Sequence, residues 1–447
     1  MHRQENVNLL EGSPAKALAL LTLPVIGASL IQMLYNFTDL YWISSLGSNA
    51  LAAVGTGGTF LWFSEGFMIF ARMGGQILSG QAYGRGDEEG LKATAAASLQ
   101  LGILLALLVA AGLIGFHKPL IAFFGFHESE TVHFSEIYLI IAACGVPFNF
   151  MTRILSGLLA ACGNTRTAFR ATITGLICNI ILDPVMIFLL RLGVAGAALA
   201  TVISQGLVMS LLIAGTVQTG LYKGLDLKKG YAAERYWGIL KLGLPAGLQT
   251  MLYAGISIVL GRIVAGFGDL QVAVQRVCGQ IESITWTVAD AFAVSVNAFI
   301  AQNLAAGKEE RLRKGYRAAF FMTAAAGLVG TIIMLGFPKQ VAGLFFEPGR
   351  ETEAAAAYLM IVGISEIFMV CELMTAGAFA GLGKTLYPSV LISFITALRL
   401  PAAKLFSGTA LGVKGVWLAI GLSSVLKGII LFISFECVLK RREKEAG

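Results

Sequence analysis

"LGVAGAALATVIS" (Leu192–Ser204) returns 219 residues later as "LGVKGVWLAIGLS" (Leu411–Ser423). Three further pairs keep almost the same offset. "GQAYGRGDEEGLK" (Gly80–Lys92) aligns with "AQNLAAGKEERLR" (Ala301–Arg313), with Gln81 and Gln302 standing 221 apart. "FHKPLIAFFG" (Phe116–Gly125) aligns with "FPKQVAGLFF" (Phe337–Phe346) at 221, and "AACGNT" (Ala160–Thr165) with "AGLGKT" (Ala380–Thr385) at 220. Four segments in one order at one spacing mean that a single unit is written twice. The small drifts are loop insertions and deletions.

Composition says what the unit is made of. Of the 447 residues, 56% are hydrophobic and only 13% charged, and the mean hydropathy is +0.77. A soluble domain carries about 25% charged residues. A helical span of a bilayer needs about 20 apolar residues. Such runs occur at roughly 17–43, 52–79, 93–115, 134–157, 165–190, 194–218, 236–264, 272–300, 316–337, 354–381, 385–407 and 411–438. The expected fold is therefore an all-α integral membrane protein of about twelve transmembrane helices, in two six-helix lobes related by an internal parallel repeat. Six is even, so both halves enter from the same side and are related by an axis along the membrane normal. The expected domains are an N-terminal lobe at 1–218, a cytoplasmic linker at 219–237 and a C-terminal lobe at 238–447, with a cleft between the lobes. The first apolar run is long enough to span, so the chain's opening reads as a first span rather than a cleavable signal.

The formal net charge is +7. Basic residues gather in alternate loops: Arg85 and Lys92, Arg166 and Arg170, Lys223 to Arg235, Lys308 to Lys314, Lys384, and the tail Lys440 to Lys444. That is the positive-inside pattern. It puts both termini in the cytoplasm and makes a nucleic-acid partner unnecessary. The six cysteines show no Cys-x-x-Cys spacing, so neither a disulfide framework nor a zinc site is expected. "GLGKT" (Gly381–Thr385) lacks the first glycine of a phosphate-binding loop. No nucleophile–base pair or metal set appears, so the chain is not expected to be an enzyme or to hold a cofactor.

Chemistry is concentrated in acids inside the spans. Asp39 is the only charged residue between Lys16 and Glu65. A charge at that depth costs at least about 2.5 kcal/mol and is a functional hypothesis by default. Asp183 lies in "LICNIILDPVMIF" (Leu176–Phe188), four residues after Asn179 and just before Pro184. The i, i+4 spacing puts amide and carboxylate on one helical face, and the proline frees a carbonyl one turn back. Those oxygens suit a hard cation or a proton network. Thr201 in the sixth span adds a hydroxyl, and Tyr35 and Asn36 are neighbours of Asp39. The second half replaces these groups. "MLYNFTDLYWI" (Met33–Ile43) becomes "MLYAGISIVLG" (Met251–Gly261), and "NIILDP" (Asn179–Pro184) becomes "TALRLP" (Thr396–Pro401), with Arg399 and no acid. The divergence assigns an ion site to the N-terminal lobe.

Glu65, expected to face the cleft or pair with Arg72, joins Met33, Phe150, Met151, Glu282, Trp286 and Asp290 as lining for a substrate cavity. Methionine suits adaptable surfaces and aromatic faces attract cations. Glu282 and Asp290 of the eighth span, with Glu366 and Glu372 of the tenth, either line that cavity or pair with Arg262, Arg276, Arg399 and Lys404.

The sequence resembles the MATE family, multidrug and toxic compound extrusion, along essentially its whole length. The matching stretches are "LTLPVIGASLIQMLYNFTDLYWISSLGSNALAAVG" (Leu21–Gly55), "GQAYGRGD" (Gly80–Asp87), "GNTRTA" (Gly163–Ala168), "NIILDP" and "LGVAGAALAT" (Leu192–Thr201). It is most similar to the prokaryotic DinF-like branch. The resemblance implies a cation-binding or protonation site at Asp39, Asn179, Asp183 and Thr201. It also implies H⁺ or Na⁺ as coupling ion, with Na⁺ held by the same four residues as the only metal. The implied activity is secondary active efflux of amphipathic or cationic compounds by antiport and alternating access. A multi-pass monomer in a prokaryotic cell membrane would export small organic molecules. The alternative is a lipid-linked oligosaccharide flippase of the same wider superfamily, kept open by Arg276, Arg399 and Lys404. The NorM-like branch adds a seventh-span glutamate and a tenth-span aspartate. The seventh span here has no acid, so no such C-terminal site is expected.

Overall fold

The computed structural model describes residues 7–124, 128–220 and 222–446, without the side chains of residues 36, 37, 40, 44, 48, 269, 445 and 446. Among the described residues all regular structure is helical. The first half holds α1 (Pro14–Ser44), α2 (Ser48–Arg85), α3 (Glu88–Gly115), the short α4 (His117–Ala122), α5 (Ser129–Ala161), α6 (Arg166–Pro184) with a π-helical turn at Val185–Leu189, and α7 (Gly193–Thr219). The second half holds α8 (Ala233–Ala265), α9 (Asp269–Ala305), α10 (Glu309–Gly336), the short α11 (Pro338–Ala342), α12 (Arg350–Gly363), α13 (Glu366–Gly381), α14 (Leu386–Ala397), α15 (Arg399–Ser407) and α16 (Val413–Ala446). Ten described helices are individually long and apolar enough to cross a membrane, and α12 with α13 qualifies as a bent pair. The 38-residue α2 completes the twelve expected segments.

The repeat is visible in the backbone. Eight of the eleven described glycines with positive φ form four pairs: Gly47 and Gly268, Gly86 and Gly307, Gly163 and Gly383, Gly193 and Gly412. Each pair closes or opens corresponding helices, where a left-handed turn suits only a residue without Cβ. Packing repeats as well. In the first half α2 packs on α5 and α3, α5 on α7, and α6 on α7; in the second α9 packs on α13 and α10, α13 on α16, and α15 on α16.

One span departs from expectation. The segment 354–381 reads as a single helix, but α12 and α13 meet at a 47° bend. No proline causes it. Ser365 turns back on the chain, its N–H and Oγ both bonding the Val362 carbonyl, at 2.8 and 2.7 Å. The eleventh span is likewise written as two helices, α14 and α15, meeting at Leu398.

By contacts the chain forms two compact units. One comprises residues 1–8 and 23–247, the other 9–22 and 248–447. The divisions within α1 and α8 fall beside Pro24 and Pro245. The first unit buries its apolar side chains around Leu99, Ile154, Leu158 and Leu212. The second does so around Leu260, Val362 and the fully buried Trp417. In the second unit, the segment before α1 is held by its carbonyls. Asn303 donates to Leu9 O at 3.0 Å, Lys308 to Leu10 O at 3.0 Å, and Arg311 to the carbonyls of Leu9, Glu11 and Gly12. In the first unit, the residues after α7 are also tied down. Tyr222 donates to Leu158 O at 2.9 Å, and Gln100 donates to the carbonyls of Leu227 and Lys229.

Candidate functional site

Four helices of the first unit bring the predicted oxygens together. On α1, Tyr35 and Asp39 are one turn apart and share a face. On α6, Asn179 and Asp183 repeat that spacing; both are fully buried, and Asn179 Nδ2 donates to Asp183 Oδ1 at 3.1 Å. On α7, Thr201 and Ser204 face the same region. On α5, Tyr138 is 7% exposed and packs where a Cβ on Gly57 would stand 2.4 Å from its ring. Tyr35 lies within electrostatic range of Asp39, Tyr138, Asp183 and Thr201, and Asp39 and Asp183 are close enough to repel each other.

The local fold follows from the sequence. Pro184 lacks an N–H, so the helix that carries Asp183 loosens at once into the π turn. Such turns occur mostly as single insertions at functional sites. The chain then reverses through Arg191, the only non-glycine with positive φ among the described residues (φ 55°). It re-enters α7 with Gly196 against the Met186 carbonyl, where a Cβ would come within 2.6 Å. This corner sets the start of α7, the helix that carries Thr201 to Tyr35.

The site's defining property is what it leaves unpaired. Asp39 Oδ1, Asn179 Oδ1, Asp183 Oδ2 and Ser204 Oγ are shielded and have no hydrogen-bond partner, while Tyr35 Oη and Thr201 Oγ1, equally shielded, face each other. Buried polar atoms are normally paired. Two carboxylates sit here with no lysine or arginine in ion-pair contact among the described residues. The donor set fits a small cation or protons: hard oxygens, net negative, out of water. All four predicted ligands, and Tyr35, are in this cluster. Asn36 has its side chain outside those described. No group of three His, Cys, Asp or Glu is arranged to hold a metal among the described residues.

The predicted cavity residues scatter. Glu65, expected to face the cleft or pair with Arg72, forms an ion pair with Arg153 at 4.0 Å. Phe150 is buried in an apolar cluster with Met68 and Val146, and Met151 packs against another. A small cavity nevertheless joins Glu65, Asn149 and Phe150 to Thr201 and Gln205. Met33 is half-buried on α1. In the second unit, Glu282 accepts from Tyr358 Oη at 3.2 Å, Trp286 is 43% exposed and stacks with Tyr253, and Asp290 is exposed. Glu372 pairs with Lys427 at 2.9 Å. Sequence reasoning surveyed acids and missed Lys427, a lone charge within an apolar run. It also missed Tyr138.

The chain is thus an all-α, twice-repeated membrane protein with a buried carboxylate cluster that no lysine or arginine neutralises among the described residues. The MatE family model matches residues 24–185 and 245–404, and the chain belongs to that family. Its members are transporters rather than enzymes, and cation coupling is general among them. The chain is similar to the probable multidrug resistance protein YpnP of Bacillus subtilis (strain 168), 28% identical over 429 residues covering 95% of both chains. It is 26% identical to the probable multidrug resistance protein NorM of Thermotoga maritima, over 95% of this chain and 91% of that one. Its fold matches a crystal structure of MATE in the straight conformation, with a TM-score of 0.91 and 26% identity over 99% of each chain.

Proposed function

We propose that this protein is a secondary active multidrug exporter of the prokaryotic cell membrane, with both termini cytoplasmic, working as a monomer. It moves amphipathic, often cationic, compounds outward in exchange for H⁺ or Na⁺. The observation that carries the reading is the set of unpaired buried oxygens on Asp39, Asn179 and Asp183, with Tyr35 and Thr201 beside them and no lysine or arginine in ion-pair contact among the described residues. The relatives named as multidrug resistance proteins support the substrate class.

Coupling follows from charge. With Asp39 and Asp183 both ionised, their repulsion and desolvation make the cluster costly to close. A proton on either carboxylate, or Na⁺ bound among them, takes the pair from two negative charges to one and so relieves the repulsion. The α1 segment beyond Pro24 and the π turn after Pro184 then repack. A ligand shifts a conformational equilibrium only by its differential affinity for the two states. The entering cation favours the closed cluster, and the drug favours the open one. Of the flippase cations, Arg399 is already engaged by Ser423 and Ser424, and Arg276 and Lys404 are exposed; no observation favours that reading.

The test is uptake of a fluorescent cationic dye into inside-out proteoliposomes under an imposed proton gradient or an imposed sodium gradient. Asp39→Asn should abolish coupled uptake while the protein remains monodisperse. Unimpaired uptake by a well-expressed Asp39→Asn protein would sink the proposal. Sodium-driven uptake at fixed pH would make the cluster a Na⁺ site, and uptake driven only by the pH gradient would make it a proton site.

A further inference from the structure

In the first unit α6 and α7 leave a groove between them, where α6 begins and α7 ends. Close contacts hold the two helices together along it. A Cβ on Gly215 would stand 2.5 Å from Thr167 Cγ2, and one on Gly175 would stand 2.1 Å from Val208 Cγ2. The groove has a volume of about 280 Å³, close to the lower end for a small-molecule site. It is lined by the small residues Ala171, Ala214 and Gly215 and by the polar Arg170, Thr174 and Gln218. The face of α6 that carries Arg170 changes character along its length. Arg166, Arg170, Thr174, Ile177 and Ile181 recur at three- or four-residue spacing, which keeps them on one side of the helix, and all five are exposed. Two cations give way to a hydroxyl and then to isoleucines that are 54% and 59% exposed. From Arg170 to Ile181 the helix rises about 16 Å. That is the depth of one leaflet of a hydrocarbon core about 30 Å thick. The opposite side of α6, with Ala171, Gly175, Asn179 and Asp183, is the buried one.

The two helices bring no negative charge to the groove. Neither α6 before Asp183 nor any part of α7 contains an acid. The N-terminus of a helix is its positive end, so arginines there add to the same field and draw an anion. The repeat shows that the fold does not need them. At the offset of 220 that aligns Ala160–Thr165 with Ala380–Thr385, Arg166, Arg170 and Thr174 correspond to Leu386, Val390 and Phe394. All three of those are exposed and apolar. A signal for membrane orientation would be served as well by loop residues, whereas Arg170 stands a full turn inside α6.

We propose that this groove binds an anionic phospholipid, with the phosphate at Arg166 and Arg170, the rest of the headgroup beside Gln218 and an acyl chain along Ile177 and Ile181. A basic pocket between transmembrane helices suits such a headgroup. The arginines call for an anion, and the apolar continuation of the same face calls for one that carries a hydrocarbon chain. A soluble phosphate would use only the first of these features. The inference goes beyond the export reading, because binding here needs neither a gradient nor a transported compound.

The test is native mass spectrometry of the full chain released from detergent micelles that contain phosphatidylglycerol or phosphatidylcholine at equal concentration. A discrete phosphatidylglycerol adduct should be retained, and phosphatidylcholine should be retained about fivefold less, the effect of one basic residue near a headgroup. Arg170→Ala should weaken retention of phosphatidylglycerol by a similar factor, and Arg170→Lys should restore most of it. Ala214→Trp fills the groove while leaving both arginines, and should remove that adduct. Ala214 is exposed, so this variant keeps the proposal testable should Arg170→Ala fail to fold. Equal retention of the two lipids, or an unchanged adduct in Arg170→Ala or Ala214→Trp, would overturn the proposal. Added sn-glycerol 3-phosphate at the lipid's concentration should leave the adduct in place. Its displacement would make the groove a site for soluble anions and refute the lipid assignment.

Discussion

Asn179 and Asp183 stand one turn apart on α6, and the single bond between them, 3.1 Å from Nδ2 to Oδ1, uses one carboxylate oxygen and leaves Asn179 Oδ1 and Asp183 Oδ2 open. The amide thus orients the acid without neutralising it. Asn179→Ala removes that orientation and orphans a second carboxylate oxygen. The expected result is about a tenfold weaker dependence of export on the coupling cation, equivalent to about 1.4 kcal/mol, in the range of one hydrogen bond to a charged group. Asp183→Asn should instead reduce gradient-driven export to background. Cation titrations of dye uptake in proteoliposomes check both.

The Lys427–Glu372 pair is buried on both sides, so it should be expensive to break and cheap to remove. Lys427→Met strands a carboxylate and is expected to destabilise by about 3–5 kcal/mol. Lys427→Met/Glu372→Gln should recover most of that loss. Thermal unfolding of the purified protein in detergent, read for the single and double variants, decides it. Equal stability of the two would show that the pair contributes nothing as a pair.

Close helix contact in the first unit depends on two glycines. A Cβ at Gly74 would come within 2.0 Å of the Ile239 carbonyl oxygen, and one at Gly243 within 2.0 Å of the Phe70 carbonyl oxygen. Backbone cannot yield as a side-chain tip can. Gly74→Ala and Gly243→Ala should each cost about 1–3 kcal/mol by overpacking. Gly55→Ala and Gly58→Ala, with nothing within 4 Å, should raise helix stability slightly through propensity. Melting temperatures of the four variants check the contrast.

Arg311 clamps three carbonyls of the segment before α1. Arg311→Ala should free that segment while leaving the spans intact. Hydrogen–deuterium exchange over residues 9–13 should quicken by at least about tenfold, the loss of one to two charged hydrogen bonds, with exchange in α9 and α13 unchanged. Unaltered exchange at 9–13 would show that the clamp does not hold it.

The sequence made the helical plan legible because each span is one apolar run and the repeat checks each run against its twin. Asp39, Asn179 and Asp183 were legible for a related reason: a carboxylate in an apolar run is conspicuous, and i, i+4 spacing fixes a shared face. Thr201 needed the fold, since a lone threonine has no pattern. Lys427 was as visible as Asp39 and was passed over because only acids were surveyed. The α12–α13 bend had no local signal, since Ser365 makes it by bonding back to Val362, where a proline would have announced it. Glu65 was paired by proximity along the helix with Arg72, while the partner it meets, Arg153, comes from α5. The grouping of residues 9–22 with the second unit is invisible locally, because the groups that hold Leu9 are nearly 300 positions away.

That last separation has a consequence for biosynthesis. Leu9 leaves the ribosome nearly 300 residues ahead of Asn303 and Arg311, the groups that hold it. Until those residues are made the segment before α1 has no seat, and the carbonyls of Leu9, Glu11 and Gly12 must be hydrated or borrowed by other partners. Its docking is a late step of maturation, after α10 has begun to emerge. A nascent chain stalled before Arg311 would carry α1 inserted and the segment before it still undocked.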